Sequence, residues 1–480
     1  MSGRTVAAII TQSLLPKDES MIESALVTEL KGLVGAENVL TSPEELLCYS
    51  YDGTVLQQVP ETVILPRTTE EVSAVVCVAD RERLPVVPRG AGTNLAGGTI
   101  PIQGGIVLSL TRMIDILEID TVNMVAVVQP GVVTGKLQAE VAKRGLYYPP
   151  DPASLKATTI GGNVGMDAGG PHALKYGVTS DYVMGLEVVL PSGQVIRTGG
   201  KAIKNVTGYN LTQLFVGSEG TLGVIAEITL RLIPQPETSG SVLAAFSYLE
   251  DAAALVNRIL HAGVTPAVIE IMDQMTIQTV DDYLQSGLPR EAAALLLIQV
   301  DGVRAAVEQE LEMVAQLCRE NKATMVEVAD SPEDEAVLWK ARQSISPSLT
   351  RVRPNKLGED ISVPREAIPE VVRRIQQISR ERDLPIVIFG HISDGNLHPN
   401  ILFDQGDPEE MERVEAASGD IFEAATAVGG TLSGEHGIGL LKQKYLSLDL
   451  PEETVQVMRA IKQALDPHNI MNPGKIFPDA

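Results

Sequence analysis

Cysteine is scarce in this chain, and its spacing excludes two kinds of structure. The 480 residues include only Cys48, Cys77 and Cys318, which lie far apart and form no CxxC pair. Disulfide frameworks and iron–sulfur clusters both need more cysteines at closer spacing. We therefore expect neither a disulfide-stapled fold nor a cluster that this chain holds alone.

Positive charge is also in short supply. Lys and Arg total 38 against 62 Asp and Glu, which gives a formal net charge of −24 at pH 7. A surplus of negative charge repels a phosphate backbone, so this balance argues against nucleic acid as a partner. It favours a self-repelling protein with a well-hydrated surface.

Long hydrophobic runs are missing as well. A membrane-spanning helix needs about 20 apolar residues, whereas the longest apolar run surrounds Ala292 to Ile298 and predicts a buried strand. The N-terminal apolar run is short and lacks the small-residue cleavage site of a signal peptide. We expect no transmembrane segment and a cytoplasmic location, and peripheral association with the inner face of a membrane stays open.

The length suggests two or three domains. Aromatic residues make up only 4% of the chain, so Val, Ile, Leu and Ala must fill the cores. Residues 1–55 have a helical pattern, clearest from Met21 to Val34, and short β-runs and glycines begin at Pro60. The pattern breaks near Leu232 to Gly240, which predicts a domain boundary there.

Beyond that boundary, strand-like and helix-like segments alternate. SVLAAFSY, AVIEIMD, LLLIQVDG and ATMVEVAD have strand patterns, and amphipathic helical segments follow the first and the third. This order is typical of a ferredoxin-like α+β sandwich. A second round of the same pattern can be traced from Asp360 to Val428.

Three glycine-rich loops precede the boundary, in residues 88–98 (PRGAGTNLAGG), 157–177 and 209–225. The first follows a strand and is not a Rossmann fingerprint, because Leu95 stands where the third glycine belongs. Glycine-rich loops let backbone amides approach phosphate closely. Since one such loop is weak evidence but three imply a large ligand, we expect a dinucleotide. Residues 149–177 are predicted to form a long ordered loop.

The six histidines are distributed unevenly. Three of them lie in GHISDGNLHPN (residues 390–400) and SGEHGIG (residues 433–439), while His172, His261 and His468 stand alone as ordinary structural residues. The dipeptide Asp394-Gly395 is a strong hairpin signal, and a hairpin there would bring His391 and His398 together. With the carboxylate of Glu435 they make a candidate site for a divalent metal, and His436 beside it is a candidate base.

Taken together, the three glycine loops resemble the flavin-binding half of the vanillyl-alcohol oxidase / p-cresol methylhydroxylase (PCMH) superfamily. Within it the chain is similar to the group of glycolate oxidase flavin subunits, D-lactate dehydrogenases and D-2-hydroxyglutarate dehydrogenases, over roughly residues 40–478. This resemblance implies an α+β fold with a PCMH-type FAD-binding domain of two α+β subdomains and a ferredoxin-like substrate (cap) domain. It divides the chain into residues 1–55 and 56–236 of the FAD domain, 237–465 of the cap domain with its metal site, and a segment 466–480 that returns to the FAD domain.

The resemblance also implies which residues hold the FAD. No histidine lies in the first loop, so non-covalent binding is expected. The pyrophosphate is assigned to Arg89, Gly90, Ala91, Gly92, Thr93 and Asn94. The flavin and ribityl chain are assigned to Pro150, Asp151, Ser154, Thr159, Gly161, Gly162, Asn163, Gly169 and Gly177. The adenine-side dinucleotide contacts are assigned to Glu219, Gly220, Gly223 and Ile225, with Asn472 returning to the flavin domain.

For the substrate site, the resemblance implies zinc or manganese on His391, His398 and Glu435, with His436 as general base. It assigns Asn400, Arg342 and Ser346 to the substrate, and an arginine suits a carboxylate because its fork binds both oxygens. On one helix Arg342 and Ser346 would share a face. The spacing of Lys356 departs from the lysine of the hydroxyglutarate enzymes, which weakens the case for a dicarboxylate.

These expectations add up to an FAD-dependent enzyme that oxidises a small 2-hydroxy acid, glycolate or D-lactate, to the 2-oxo acid. The alternatives are a D-2-hydroxyglutarate dehydrogenase and a non-catalytic, flavin-bound subunit of a larger complex. Electrons would pass to an acceptor other than oxygen: a quinone, a soluble carrier or an iron–sulfur partner subunit. We also expect an oligomer, of identical or of different chains.

Overall fold

A computed structural model describes residues 22–329 and 331–478 of the chain. These residues form two compact units. The first comprises residues 22–169, Val178–Gln235 and residues 435–478, and the second comprises Gly170–Gly177 and Pro236–Gly434. The boundary at Gln235 falls inside the predicted stretch from Leu232 to Gly240.

The chain up to Gln235 contains short strands and short helices in alternation. In chain order they are α1 (Ser24–Val34), β1 (Val39–Leu40), α2 (Pro43–Leu47), β2 (Thr62–Ile64), α3 (Thr69–Glu82), β3 (Val86–Arg89), β4 (Ile106–Ser109), β5 (Ile116–Asp120), β6 (Val125–Val128), α4 (Thr134–Ala142), β7 (Leu146–Tyr147), α5 (Ile160–Met166), α6 (Ala173–Tyr176), β8 (Val183–Val189), β9 (Val195–Gly199), α7 (Leu211–Phe215), β10 (Val224–Arg231) and β11 (Ile233–Pro234).

Helix α3 shows how the sequence specifies these elements. The hydroxyl of Thr68 accepts a hydrogen bond from the amide of Glu71 at 3.3 Å and caps the first turn. Val72, Val75, Val76 and Ala79 are all buried and recur at helical spacing, which gives the helix one apolar face. The helix ends where Arg83 adopts a left-handed conformation at φ 58°.

The strands of the first unit form two main sheets, as expected for two α+β subdomains. One has the order β1-β2-β4-β3, with β2, β4 and β3 parallel; the other has the order β5-β6-β10-β8-β9 and is antiparallel. The predicted hairpin between β8 and β9 is present, and its turn closes with a 2.8 Å hydrogen bond from Gly193 N–H to Leu190 C=O. Val, Ile, Leu and Ala dominate both cores.

The second unit contains longer elements. They are β12 (Thr238–Phe246), α8 (Leu249–His261), β13 (Val268–Asp273), α9 (Gln274–Leu284), β14 (Ala294–Gly302), α10 (Arg304–Glu320), β15 (Met325–Val328), α11 (Pro332–Gln343), α12 (Ile345–Leu349), β16 (Asn355–Gly358), β17 (Ile361–Ser362), α13 (Ile368–Arg382), β18 (Ile386–His391), β19 (Asn396–Phe403) and α14 (Pro408–Ala427).

The first half of this unit has ferredoxin-like topology. Its strands lie in the order β15-β12-β14-β13 and every neighbouring pair is antiparallel, which is the order 4-1-3-2 of that fold. The central strand β14 coincides with the apolar run predicted to be a buried strand, and Leu295, Leu296 and Leu297 are fully buried. Helix α9 is an addition between β13 and β14.

The second half repeats this topology in reduced form. Strands β18, β19 and β16/β17 follow the order 2-3-1, and a single bridge between Ser362 and Thr431 stands in for the fourth strand. The two halves join because β13 pairs with β18 in an antiparallel register, so that one continuous sheet runs through the unit. The second round traced in the sequence is therefore present.

Two helices lie in the C-terminal part of the first unit, α15 (Leu446–Asp449) and α16 (Glu452–Leu465). The chain re-enters this unit at Glu435, whereas the sequence placed residues up to 465 in the second. The reason is packing: Ile461 and Leu465 contact the core beneath the β5–β9 sheet. The end of the chain then joins strand β3, where Asn472 N–H donates to Val86 C=O at 2.7 Å.

Two local expectations also need correction. Residues 22–55 are not helical throughout, because β1 pairs with β2 and Tyr51 bridges Gln57; residues 1–21 lie outside the described part. The stretch 149–177 is not loop throughout, since it contains α5 and α6. In α5 the hydroxyl of Thr159 caps the helix by accepting from Gly162 N–H at 3.3 Å, so glycines inside the helix masked a clear capping signal.

Candidate active site

The two histidines of the β18–β19 hairpin lie side by side. His391 pairs with Asn396 across the hairpin, so His398, two residues further along β19, faces the same side of the sheet. Their Nε2 atoms are 3.4 Å apart and their rings lie nearly perpendicular at 86°. Both side chains are buried, at 3% and 6% exposure. The structure thus brings these two residues together as the hairpin signal predicted.

Glu270 supports this pair from the neighbouring strand, and the sequence analysis missed it. Residue 270 on β13 lies directly opposite His391 on β18. The side chain is fully buried; one carboxylate oxygen contacts His391 Nδ1 and the other contacts Arg342 Nε. Burial alone would raise the pKa of Glu270, but the charges of Arg342 and His391 outweigh it and hold that pKa at about 2.

Asp360 is a second buried carboxylate in the same region, also missed. It lies 3.7 Å from His398 Nδ1, accepts a 2.6 Å hydrogen bond from the Asn396 side chain and binds Ser433 Oγ at 2.7 Å. The amide of Gly434 donates to it at 2.9 Å. Because Gly434 directly precedes Glu435, this carboxylate fixes the chain at the start of the Glu435-His436 motif. Glu435 and His436 themselves belong to the first unit.

Arg342 and Ser346 do not lie on one continuous helix, contrary to the prediction. Helix α11 ends at Gln343 and α12 begins at Ile345, so the 3.6-residue repeat is interrupted between them. Arg342 is largely buried, contacts Glu270 and lies 5.1 Å from the centre of the Phe389 ring. Ser346 accepts a 2.6 Å hydrogen bond from Lys356 Nζ, and burial lowers the pKa of that lysine.

Asn400 is buried on β19, two residues beyond His398 and on the same face of the strand. Its amide nitrogen donates to the carbonyl of His398 at 3.0 Å. Its side-chain oxygen lies against Gly358 of the paired strand, where a Cβ would be 3.1 Å away. The side chain is therefore held in one orientation beside the histidine pair.

The first glycine loop offers a row of backbone donors. Within the described residues, the amides of Gly90, Ala91, Gly92 and Thr93 make no hydrogen bond to the protein. The side chains of Arg89 and Asn94 both bind Thr99 Oγ1, at 3.0 and 3.1 Å, and so brace the loop from behind. Successive unpaired amides are the arrangement that cradles a phosphate.

The second loop packs against the first. A Cβ on Gly90 would collide with the Thr159 side chain, and a Cβ on Gly161 would lie 2.5 Å from Pro130 Cβ. Asn163 is buried, accepts from Thr158 Oγ1 at 2.9 Å and donates to Thr134 Oγ1 at 2.7 Å. Glycine is required at positions 90 and 161 because a side chain there would collide with a neighbouring segment. The Asn163 side chain hydrogen-bonds to two threonines of the protein itself.

The third loop holds the Glu435-His436 motif from its other end. Both carboxylate oxygens of Glu219 accept 2.8 Å hydrogen bonds, from the amides of Ile438 and Gly439. Burial raises the pKa of Glu219. Gly220 lies against Pro88, Gly223 packs closely on Val188, and Ile225 contributes to the core. The Glu219 side chain thus anchors the protein's own chain at Ile438 and Gly439.

Asn472, near the end of the chain, contacts the first and third glycine loops. Its side-chain nitrogen donates to the carbonyls of Gly98 and Glu219, at 2.9 and 2.7 Å. Its side-chain oxygen is buried without a hydrogen-bond partner in the described part of the chain. A buried acceptor of this kind is costly unless a further donor meets it.

The other residues assigned to the flavin occupy varied positions. Pro150 is buried and its carbonyl accepts from the Gln138 side chain at 3.0 Å, while Asp151 and Ser154 are half-buried. Gly169 lies against Glu435, and a Cβ there would be 2.8 Å from Glu435 Oε2. Gly177 belongs to the second unit, at the end of α6.

Two regions of the chain match known protein families. Residues 60–199 match the FAD binding domain, and residues 235–476 match the C-terminal domain of FAD linked oxidases. The chain belongs to the FAD-linked oxidase family. The FAD-linked oxidase shares 46% identity with the glycolate oxidase subunit GlcD of Bacillus subtilis (strain 168), over 95% of this chain and 97% of that one.

Further relatives of this FAD-linked oxidase carry related names. The glycolate oxidase subunit GlcD of Escherichia coli (strain K12) is 38% identical over 96% of this chain and 92% of that one. A D-lactate dehydrogenase of Anaerostipes hadrus is 37% identical over 87% of this chain and 89% of that one. The family assignment makes the chain an FAD-dependent oxidoreductase.

Solved structures show the fold of this FAD-linked oxidase in more distant proteins. p-Cresol methylhydroxylase with bound substrate superposes with a TM-score of 0.82 at 20% identity, covering 97% of this chain and 99% of that one. 4-Ethylphenol oxidase from Gulosibacter chungangensis, in its isoeugenol complex, superposes with a TM-score of 0.80 over the same shares. These likenesses confirm the predicted α+β, PCMH-type fold.

The remaining sequence expectations concern membranes and cysteines. In the part of the chain that the structure describes, no helix combines the length and the apolar character needed to cross a bilayer. Cys48 and Cys77 are exposed and Cys318 is buried, and all three are free thiols. Burial raises the pKa of Cys318 to about 12, so this thiol stays protonated.

Proposed function

We propose that this FAD-dependent oxidoreductase oxidises a small 2-hydroxy acid, glycolate or D-lactate, to the corresponding 2-oxo acid. The observation that carries the proposal is the pair of buried imidazoles whose Nε2 atoms converge at 3.4 Å beside an arginine. Relatives that cover nearly the whole chain are named a glycolate oxidase subunit and a D-lactate dehydrogenase. A metal-assisted oxidation of an α-hydroxyl agrees both with the paired imidazoles beside an arginine and with the names of these relatives.

The first unit fits a bound FAD. The unpaired amides of Gly90, Ala91, Gly92 and Thr93 suit the pyrophosphate. The buried side-chain oxygen of Asn472 has no hydrogen-bond donor in the described part of the chain, and the ring system of FAD carries a donor. The first loop contains no histidine, which agrees with non-covalent binding. FAD supplies the acceptor of the hydride that leaves the α-carbon of the substrate.

The donors of the second unit fit a divalent cation, zinc or manganese. His391 and His398 offer two nitrogens, and we assign Glu435, which follows the anchored Gly434 in the chain, as the third ligand. The contact of His391 Nδ1 with Glu270 is the usual support for a metal-binding histidine. A divalent cation lowers the pKa of the substrate hydroxyl and so eases its deprotonation.

The chain's own residues complete the chemistry. His436 accepts the hydroxyl proton, as a neutral imidazole can near pH 7. Arg342 presents its Nη groups to the substrate carboxylate while Nε stays with Glu270, and Asn400 and Ser346 orient the acid. The substrate loses one hydride and one proton and becomes the 2-oxo acid, and bound FAD would accept the hydride with its two electrons.

These two electrons must leave to an acceptor other than oxygen. We propose a quinone, a soluble carrier or an iron–sulfur partner subunit, in a homo- or hetero-oligomeric assembly at or near the inner face of a membrane. The names of the relatives support a partner, since two of them are called subunits of a glycolate oxidase. The exposed and buried thiols of this chain are too scattered to hold a cluster.

One observation keeps D-2-hydroxyglutarate as a second candidate substrate. Lys356 Nζ lies 2.6 Å from Ser346 Oγ, so a second cation stands beside a residue assigned to the substrate. A second carboxylate could pair with that cation, even though the sequence spacing of Lys356 departs from the related enzymes.

Anaerobic reduction of the bound flavin tests the proposal. Purified protein with FAD is mixed separately with glycolate, D-lactate, L-lactate and D-2-hydroxyglutarate, with and without a chelator, and visible flavin absorbance is followed. We expect glycolate or D-lactate to bleach the flavin, and the chelator to suppress this until zinc or manganese is restored.

Other outcomes separate the alternatives. Bleaching by D-2-hydroxyglutarate alone would support the second candidate. A flavin that none of the acids reduces, with metal present, would contradict catalysis and favour a non-catalytic flavin-bound subunit. Chelator-insensitive bleaching would contradict the metal while leaving the oxidation intact.

A further inference from the structure

Glu270 is a buried carboxylate that takes no direct part in the proposed reaction. It lies on β13, in the middle of the continuous sheet, with no exposed surface. A buried charge is costly unless it is paired and hydrogen-bonded, and replacing such a group by an apolar residue is often tolerated structurally. The presence of a charged group at this position therefore calls for a role beyond holding the sheet together.

Both oxygens of this carboxylate are used, by two side chains from different elements. Oε1 contacts His391 Nδ1, across the β13–β18 pair, and Oε2 contacts Arg342 Nε, from α11. A carboxylate accepts only, so both partners must donate. In the neutral form that binds a metal, His391 must then carry its hydrogen on Nδ1, which leaves the lone pair of Nε2 facing His398.

We infer that Glu270 is the positioning residue that couples the metal site to the substrate arginine. Through His391 it fixes the tautomer and the ring orientation that a metal ligand requires. Through Arg342 it occupies Nε and turns the two Nη groups toward the substrate carboxylate. The inference rests on the proposed function, because it assumes that His391 binds metal and that Arg342 binds substrate.

Glutamine at this position would be informative because it keeps the shape and changes the hydrogen bonding. The amide has one acceptor and one donor end, so it can accept from Arg342 Nε or from a His391 Nδ1–H, but not from both. With the oxygen on Arg342, the amide donor faces His391 Nδ1 and favours the tautomer with hydrogen on Nε2, which blocks metal binding. Aspartate keeps two acceptors and a charge but is one methylene shorter.

Asp273 provides a matched control on the same strand. It is also a buried carboxylate, 4% exposed, and it caps α9 by accepting from Thr276 N–H at 2.9 Å. It contacts neither histidine of the pair nor Arg342 in the described residues. Asp273→Asn therefore reports the loss of a buried carboxylate from β13 without touching the proposed coupling.

The experiment measures zinc and manganese affinity by competition with a chelating dye, on FAD-loaded wild type, E270Q, E270D, D273N and the double variant H391A/H398A. We expect E270Q to bind metal about 10- to 100-fold more weakly than wild type, with E270D between them. D273N should lower the melting temperature and keep wild-type metal affinity. All variants should keep their flavin content.

A second readout follows the arginine. At saturating metal, with glycolate and an artificial dye acceptor, E270Q should raise KM because Arg342 is misdirected, and the E270D value should move back toward wild type. D273N should leave KM at the wild-type value. A purely structural role for Glu270 would instead lower the melting temperature and the yield without this KM effect.

The outcomes keep the two ideas apart. Wild type that binds metal no better than H391A/H398A overturns the metal proposal, and the inference falls with it. Wild type that binds metal, with E270Q equal to it in both metal affinity and KM, overturns the inference alone.

Discussion

At the scale of residues, buried carboxylates organise the candidate site. Glu270 and Asp360 stand behind His391 and His398, and Glu219 holds the amides that follow His436. None of the three was among the metal ligands or the base expected from the motifs. They decide instead how the ligand and base candidates are oriented. Replacing these carboxylates should therefore change ligand affinity and the orientation of the site residues, whereas replacing His436 should change the rate of the reaction.

Replacing His436 by Ala should lower kcat by about 10²- to 10⁴-fold, because a general base contributes a factor of that size. Flavin content should stay at the wild-type level, since the dinucleotide is assigned to other residues. His468→Ala is the control: this histidine binds Asp80 at 2.7 Å on the surface and should be replaceable without loss of rate. An H436A variant with wild-type kcat in the dye assay would refute the assignment.

Lys475 gives a pH prediction for stability. The amine is 3% exposed and donates to Ile100 C=O at 2.8 Å, and burial lowers its pKa to about 7 despite the nearby Glu219 and Asp52. The unfolded chain has the higher pKa, so between pH 7 and 10 it binds more protons than the folded chain. The contribution of Lys475 to the free energy of unfolding therefore rises with pH in this window.

The comparison of wild type with Lys475→Met measures this effect. The free-energy difference between them should grow in favour of wild type from pH 7 to pH 9, by up to about 1.4 kcal/mol per pH unit. Chemical unfolding at pH 7, 8 and 9 supplies the values. Lys201→Met, at an exposed lysine paired with Glu118, should show a difference that stays flat; a flat difference for K475M would refute the prediction.

At the scale of elements, two features place the site residues. The β18–β19 hairpin sets the histidine pair through its register, and pairing of β13 with β18 adds Glu270 opposite His391. In the first unit, helix α5 begins against the first glycine loop, with Gly161 packed on Pro130. Both arrangements depend on close contact between segments far apart in sequence.

Gly161→Ala tests the second of these arrangements. The new methyl group would lie 2.5 Å from Pro130 Cβ and 2.9 Å from Pro130 O, so α5 must shift away from Pro130 and so disturb its contact with the first loop. We expect weaker FAD binding and a stability loss of about 1–3 kcal/mol from overpacking. Gly32→Ala on α1, where no atom lies within 4 Å, should be neutral or slightly stabilising. FAD titration and thermal unfolding of both variants would check this.

At the scale of the whole molecule, the two proposed ligands, FAD and the divalent metal, are assigned to different parts of the chain. The free amides of the first glycine loop belong to the first unit, and His391 and His398 belong to the second. Binding of FAD therefore should not require the histidine pair. His391→Ala should lose the metal while keeping FAD at the wild-type ratio to protein.

Flavin absorbance and elemental analysis on the same sample would measure the two ratios. Loss of both ligands in H391A, with the melting temperature unchanged, would show that one site depends on the other. Wild-type metal content in H391A would remove this residue from the ligand set.

The sequence by itself determined the family, the boundary near Gln235 and the hairpin that joins His391 to His398. These features depend on local signals: glycine loops with fixed composition, an Asp-Gly turn and runs of alternating apolar residues. Local chemistry dictates local backbone, so a linear pattern is enough. The same holds for the alternation of strands and helices in the second unit, which is visible along the chain.

Only the tertiary structure decided which carboxylates meet the histidines and where the chain returns to the first unit. Glu270 lies 121 residues from His391 in sequence, and sheet register alone places them opposite each other. Glu219 reaches the amides of Ile438 and Gly439, which lie 219 and 220 residues further along the chain. No local pattern encodes such contacts, because they depend on strand order and on burial, which the whole fold creates.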